Sequence, residues 1–227
     1  MAHASKKYLR NRAKRGEDPV AIPEAVATLK KFEGAKFDET VEVSVKLGID
    51  PKNTNQAVRG AFSLPHGIGK EIKVIVFAEG EAAKVAKAAG AAEVGAEDLA
   101  KKILDGWLDF DVAIAHPAMM RHVGKLGRVL GPHGKMPSPK SGTVTDNIAQ
   151  VVREFKAGKV EFRNDDGGNV HAAVGKKSFP VEHLVTNVTA FIDHLRTLRH
   201  PSVKGNFFVK ATISATMSPG IALAVAG

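Results

Sequence analysis

Between Gly127 and Thr145 the chain reads Gly-Arg-Val-Leu-Gly-Pro-His-Gly-Lys-Met-Pro-Ser-Pro-Lys-Ser-Gly-Thr-Val-Thr. Gly127, Gly131, Gly134 and Gly142 are interleaved with Pro132, Pro137 and Pro139. Neither a regular helix nor a central strand suits such a mixture, because glycine loses the most backbone entropy and proline lacks a donor. The run exceeds a simple turn, and long ordered loops are usually functional. From Met120 to Thr145 there is no Asp or Glu, whereas Arg121, Lys125, Arg128, Lys135 and Lys140 are present. The stretch reads equally as a solvated loop of fixed shape or as a surface for a phosphate backbone.

The charge of the whole chain leans the same way. The net charge of +9 points to an anionic partner, either nucleic acid or a membrane surface. The absence of cysteine excludes a disulfide framework and thiolate metal sites, and fits a reducing compartment. Met1 to Gly16 lacks the apolar core of a secretory signal, and no apolar run approaches a membrane span. A soluble cytosolic protein with a polyanionic partner is expected. At 227 residues it forms one or two domains.

Two segments alternate with period two. Thr40, Glu42 and Ser44 alternate with Val41, Val43 and Val45, and Thr212, Ser214 and Thr216 alternate with Ala211, Ile213 and Ala215. Each pattern suits a strand with an apolar face and a face of short polar groups. An ordinary half-exposed strand has the same pattern. If the two strands share a sheet, the polar groups form a flat platform. Ser and Thr hydroxyls both donate and accept, so such a platform suits a ribose 2′-OH and discriminates against DNA. Ionised Glu42 only accepts, so a base or ribose donor must meet it.

Between Lys70 and Lys156 strands alternate with helices. Ile72–Phe77, Glu93–Val94 and Asp111–Ala115 read as strands, and Glu81–Ala89 and Ala96–Leu104 as helices. Pro117 opens a further helix, and Asp146 is placed to cap one running through Phe155. This order implies a parallel sheet in a Rossmann-like layered domain. Elsewhere, Lys6–Arg15 carries six basic residues and no acid, and reads as a helical or disordered arm. Pro23 opens a helix toward Phe32, and Val181–Leu198 is amphipathic. Lys159–Arg163 and Asn169–Val174 are spaced to pair as a hairpin across Asp165–Gly168.

Enzymatic motifs fail on particulars. Gly134-Lys135 and Gly69-Lys70 lack the earlier glycine and the following Ser or Thr of a P-loop. Gly67-Ile-Gly69 has Ile72 where the third glycine of a dinucleotide motif belongs. No histidines stand at metal-helix spacing, and His116 beside Pro117 reads as structural. No catalytic residue, metal or cofactor is expected.

Leu130-Gly-Pro-His-Gly-Lys-Met-Pro-Ser-Pro-Lys-Ser-Gly-Thr-Val144 resembles the signature of the bacterial large-subunit ribosomal protein L-one family. The family's usual form reads Leu-Gly-Pro-Arg-Gly-Leu-Met-Pro-Asn-Pro-Lys-x-Gly-Thr-Val, so the departures are His133, Lys135 and Ser138. The likeness is ungapped and extends from Lys6 to Gly220. It implies an α/β protein with a discontinuous α+β RNA-binding domain, residues 1–68 plus 159–227. A Rossmann-like three-layer α/β domain, residues 69–158, would be inserted through two adjacent hinge strands. The family's RNA surface maps onto Lys36, Phe37, Thr40, Glu42, Ser44, Thr216 and Met217, overlapping the platform that periodicity extends to Thr212 and Ser214. Phe37 and Met217 would pack on ribose or base faces, unless they are simply core. Where the family has Thr-Met-Gly this chain has Thr216-Met217-Ser218, which questions any positive φ or close backbone approach at Ser218. Asp166 stands where the family commonly has lysine, so no RNA contact is carried to it.

The resemblance implies further that the protein binds large-subunit ribosomal RNA as part of the mobile stalk and assists release of deacylated tRNA from the exit site. It also implies repression of its own messenger RNA. Arg128, Lys135 and Lys140 are candidates for a weaker contact to tRNA or neighbouring RNA, and the free protein is expected to be a monomer. A non-ribosomal regulator that binds messenger RNA is the alternative, and a nucleotide-dependent enzyme a more distant one.

Overall fold

The computed structural model describes residues 5–225. Met1 and Gly227, the outer limits of the expected RNA-binding domain, lie outside the described residues, as does the start of the N-terminal segment that lacks a signal's apolar core.

The basic arm is helical. Ser5 Oγ accepts from Tyr8 N at 3.2 Å and so caps α1, Lys6–Lys14. Buried Asn11 anchors it: Nδ2 donates to Glu33 O, and Oδ1 accepts from Glu33 N. Helix α2, Ile22–Lys30, has Pro23 in its first turn, where a missing N–H costs nothing, and buries Ala25, Val26 and Leu29. The first platform strand is β1, Thr40–Leu47, and β2 spans Arg59–Ser63.

The central block begins with β3, Val74–Phe77, followed by α3, Gly80–Ala88, β4, Glu93–Gly95, α4, Glu97–Leu104, and β5, Val112–Ala115. Next comes a chain of short turns, not one helix. A 3₁₀ turn at Pro117–Met119 leads into α5, Met120–Val123; a second at Gly124–Leu126 leads into α6, Gly127–Leu130. By its glycines and prolines the loop is expected to begin at Gly127. The helical path persists to Leu130 because Met119, Val123, Leu126 and Leu130 lie on one buried stripe. Burying those side chains outweighs a glycine cost of about 1 kcal/mol. Helix α7, Ile148–Ala157, follows. Asp146 does not cap it: Asn147 holds that place without a side-chain cap bond, and Asp146 Oδ1 lies 3.2 Å from His116 Nε2.

The chain then forms β6, Lys159–Arg163, β7, Asn169–Lys176, α8, Val181–Thr197, β8, Phe208–Ala215, and β9, Ile221–Leu223. Helices and strands are thus mixed throughout, as in the α/β class. The chain divides into two compact units, residues 1–69 with 160–227 and residues 70–159.

In the first unit the sheet order is β7-β1-β8-β9, and β2 pairs with β6 in a separate two-stranded sheet. The expected hairpin of β6 with β7 does not form; only an isolated bridge joins Asn164 to Val170. The cause is local. Asn164 pairs with Val58, donating its N–H to Val58 O at 2.8 Å and accepting Val58 N–H on Oδ1 at 2.9 Å. Asp165 Oδ1 meanwhile accepts from Gly167 N and Asn169 N, which turns the chain away toward β1. Val41, Val43, Val45, Val170 and Val174 bury one face of the larger sheet in a core shared with Leu29, Leu184, Val188 and Phe191. Helices α2 and α8 supply that cover, leaving the other face uncovered by either.

In the second unit β3 lies between β4 and β5, all parallel. Ile75, Phe77, Ala113 and Ala115 pack with α4 and the Met119–Leu130 stripe. Their alternates Val74, Val76 and Ile114 are also fully buried, and α3 and α7 both touch β3. By period two, the sheet therefore has helices on both faces.

Candidate nucleic-acid interface

The two platform strands are neighbours. β1 and β8 run antiparallel with Ser44 opposite Thr212, Glu42 opposite Ser214, and Val43 opposite Ile213. The interleaved valines, alanines and isoleucine are buried, so period two turns Thr40, Glu42, Ser44, Thr212 and Ser214 to the uncovered face.

β7 adds groups that periodicity in β1 and β8 did not reveal. His171 lies opposite Ser44, and Ser44 Oγ is 3.0 Å from His171 Nδ1. Glu42 Oε1 stands 3.9 Å from Nδ1, and Asp165 Oδ2 3.7 Å from Nε2, so the His171 ring lies between two carboxylates. Lys176 Nζ donates to Thr40 Oγ1 at 2.9 Å. The alternation Val170, Ala172, Val174 was available in sequence to place His171 outward, but the expected hairpin assigned its strand to β6. Asp165 is a turn residue: hydrogen bonds from the Asn169 side chain, then from Asn169 N and Gly167 N, hold its carboxyl below the usual carboxylate range.

At one end of β1 the platform meets two loops. Phe37 is 55% exposed and Met217 57%, which excludes core packing for both. Lys36 is exposed beside Phe37. Thr216 closes the β1–β8 ladder: its N–H donates to Thr40 O at 3.1 Å, and its Oγ1 accepts from Thr40 N at 3.1 Å. Glu39 is 1% exposed and joins the loops, accepting Ala35 N on Oε1 and Met217 N, at 3.4 Å, on Oε2. Ser218 needs no positive φ, since only glycines adopt one among the described residues. Its Oγ instead accepts from Ala215 N at 2.8 Å, so the departure from glycine adds a turn contact.

The Gly/Pro-rich loop belongs to the second unit. Thr143, 1% exposed, holds it: Oγ1 accepts from Ser138 N at 2.8 Å, and its N–H donates to Ser138 O. Gly142 at φ 70 occupies the left-handed region there. Arg128 and Lys140 are exposed and form no ion pair among the described residues. Lys135 differs. Its Nζ donates to Leu108 O at 3.0 Å and to Phe110 O, and sits 4.9 Å from the Phe110 ring centroid. That ammonium is committed within the unit. His116 is likewise structural, with Nδ1 accepting from Ala118 N at 3.3 Å.

An uncovered polar sheet face, two loops tied to its end and a basic loop in a second α/β unit match one class of protein. The Ribosomal protein L1p/L10e family matches residues 29–219, and the chain belongs to that family of ribosomal proteins. The large ribosomal subunit protein uL1 of Kosmotoga olearia (strain ATCC BAA-1733 / DSM 21960 / TBF 19.5.1) is 49% identical over 224 residues, which cover 98% of this chain and 97% of that protein. No helix among the described residues is long and apolar enough to cross a membrane.

Proposed function

We propose that this protein is a constituent of the large ribosomal subunit that binds large-subunit ribosomal RNA through the uncovered face of the β7-β1-β8-β9 sheet. The observation that carries the reading is the register that sets Ser44 against Thr212 and Glu42 against Ser214. Hydroxyls and a carboxylate presented from a rigid sheet are suited to ribose 2′-OH groups and base donors, where lysines alone would only count phosphates. Lys36, Phe37, Thr216 and Met217 extend the contact, the apolar pair packing on ribose or base faces. His171 and Lys176 join the site by their place beside Ser44 and Thr40.

In this reading the second unit acts as a domain inserted in the first, and its exposed Arg128 and Lys140 touch tRNA leaving the exit site or adjacent RNA. The same sheet face binds the protein's own messenger RNA and represses its translation. The free protein is a monomer, and its place is the cytoplasmic ribosome.

The test is binding to the stalk segment of large-subunit RNA, to a scrambled RNA and to a DNA copy, across a salt series. A surface of lysines and arginines alone gives similar affinities and a log–log salt slope of about 0.7 per phosphate contacted on a single strand. The platform gives a shallower slope and a preference for native RNA that persists at high salt. Equal binding of all three would refute the site. Co-sedimentation with large subunits in high salt checks the ribosomal assignment.

A further inference from the structure

We infer that Glu39 is a positioning residue for RNA binding, acting through the two loops at the end of the platform. The inference rests on the RNA-binding reading of that face. Glu39 itself is 1% exposed and so is unable to touch RNA. One carboxylate oxygen accepts from Ala35 N, immediately before Lys36 and Phe37; the other accepts from Met217 N at 3.4 Å. Glu39 O accepts from Lys177 N at 2.8 Å, which anchors the residue's own backbone beside the end of β7. Its neighbour Asp38 accepts from Ser178 N and Ser178 Oγ, at 3.1 and 2.7 Å, fastening the same loop from its outer side.

The two loops are far apart in sequence and carry the two exposed apolar side chains assigned to RNA. Burying a carboxylate is costly unless it is hydrogen-bonded, and backbone N–H donors satisfy it well. Here the donors belong to the segments whose mutual spacing decides whether Phe37 and Met217 meet one RNA surface together. A lone hydrophobic residue at position 39 would fill the space and leave both amides without their acceptor. The carboxylate therefore sets the distance between the two contacts before RNA arrives, reducing the ordering that binding must supply.

The experiment is a double-mutant cycle on the full chain, read as affinity for a transcript of the large-subunit stalk RNA. Glu39→Gln and Glu39→Asp are each combined with Phe37→Ala and, as a control within the strand, with Ser44→Ala. Glu39→Gln puts an NH₂ against one of the amides, and Glu39→Asp is too short to reach both. Either change is expected to lower affinity about tenfold. Phe37→Ala should then cost at least about threefold less in the Glu39 variant than in the parent, whereas the cost of Ser44→Ala stays the same. Amide exchange at Ala35 and Met217 should quicken in the variant. If Phe37→Ala and Ser44→Ala both cost their full factor in the variant background, Glu39 has only a general structural role and the inference is overturned. If neither variant folds, Glu39 is a folding determinant, and the inference is overturned likewise. If Phe37→Ala and Ser44→Ala leave the parent's affinity unchanged, it is the RNA-binding assignment of the face that fails.

Discussion

Gly220 offers a direct way to disturb the platform from a residue that is not itself assigned to RNA. It lies just before β9, and a Cβ built there would stand 2.6 Å from Thr212 Cγ2. Carbon atoms in contact sit about 3.5–4.0 Å apart, so Gly220→Ala overlaps by roughly an ångström. Thr212 is held in the β8 ladder between Ser44 on one side and Ala222 on the other. Relief must come from rotating its χ1 or parting the strands, and overpacking of this kind costs about 1–3 kcal/mol. The clashing atom is a methyl, so Thr212→Ser removes it and keeps the hydroxyl. Alone, that change costs at most about 0.8 kcal/mol. Combined with Gly220→Ala it should recover at least about 1 kcal/mol, a non-additivity well beyond that of independent sites. The only tryptophan, Trp107, lies in the other unit, so its fluorescence would report on the wrong half of the chain. Amide exchange in β1 and β8 is the suitable assay, with stalk-RNA affinity measured in parallel. Gly220→Ala should lower both protection and affinity, and the double variant should restore both. Additive losses would mean that the Thr212 methyl is not what requires glycine at 220.

Thr216→Val removes the acceptor of Thr40 N–H in a solvent-accessible place, so amide protection at Thr40 should fall by about 1 kcal/mol in the free protein; unchanged protection would break the ladder-closing role. Lys135→Met should destabilise the second unit by about 1–3 kcal/mol by leaving Phe110 O without its ammonium donor, while Leu108 O keeps the Phe110 N–H. Arg128→Ala with Lys140→Ala should leave its melting unchanged and weaken tRNA contact, with a salt slope lower by roughly 0.7 per charge removed; the opposite pattern would exchange their roles. His194 stacks on Phe62 at 4.6 Å, and burial holds its pKa below the usual histidine value of 6.5. Its folded form thus resists protonation. The stability it contributes is complete above the unfolded value and falls as pH drops from there toward the lowered folded value. His194→Phe should flatten that part of the stability-against-pH curve, and an unaltered slope would remove His194 as its source.

Much of the candidate site's geometry was legible because strands impose a strict period of two. Once Val41, Val43 and Val45 are assigned to a core, Thr40, Glu42 and Ser44 have no choice of face, and the same holds for Thr212 and Ser214. One helix start was legible for a similar local reason: Pro23 fits a first turn. Readings failed where a distant partner overruled a local preference. Asn164 pairs with Val58, so β6 and β7 enter different sheets. A buried stripe carries the helical path through Gly124 and Gly127. Lys135 looked like the cations beside it in sequence, yet two carbonyls and a ring take up its charge.

The sequence by itself determined which side chains could face outward on each strand, that the chain is strongly basic, and that the loop after Leu130 is shaped by glycine and proline. These follow from covalent geometry and from charge, which need no partner elsewhere in the chain. Only the tertiary structure decided that β1 and β8 are neighbours in a register opposing Ser44 to Thr212, that β7 brings His171 alongside, and that Glu39 ties two remote loops together. Those facts depend on which strands bury their apolar faces under the same helices, a long-range choice that no local pattern encodes.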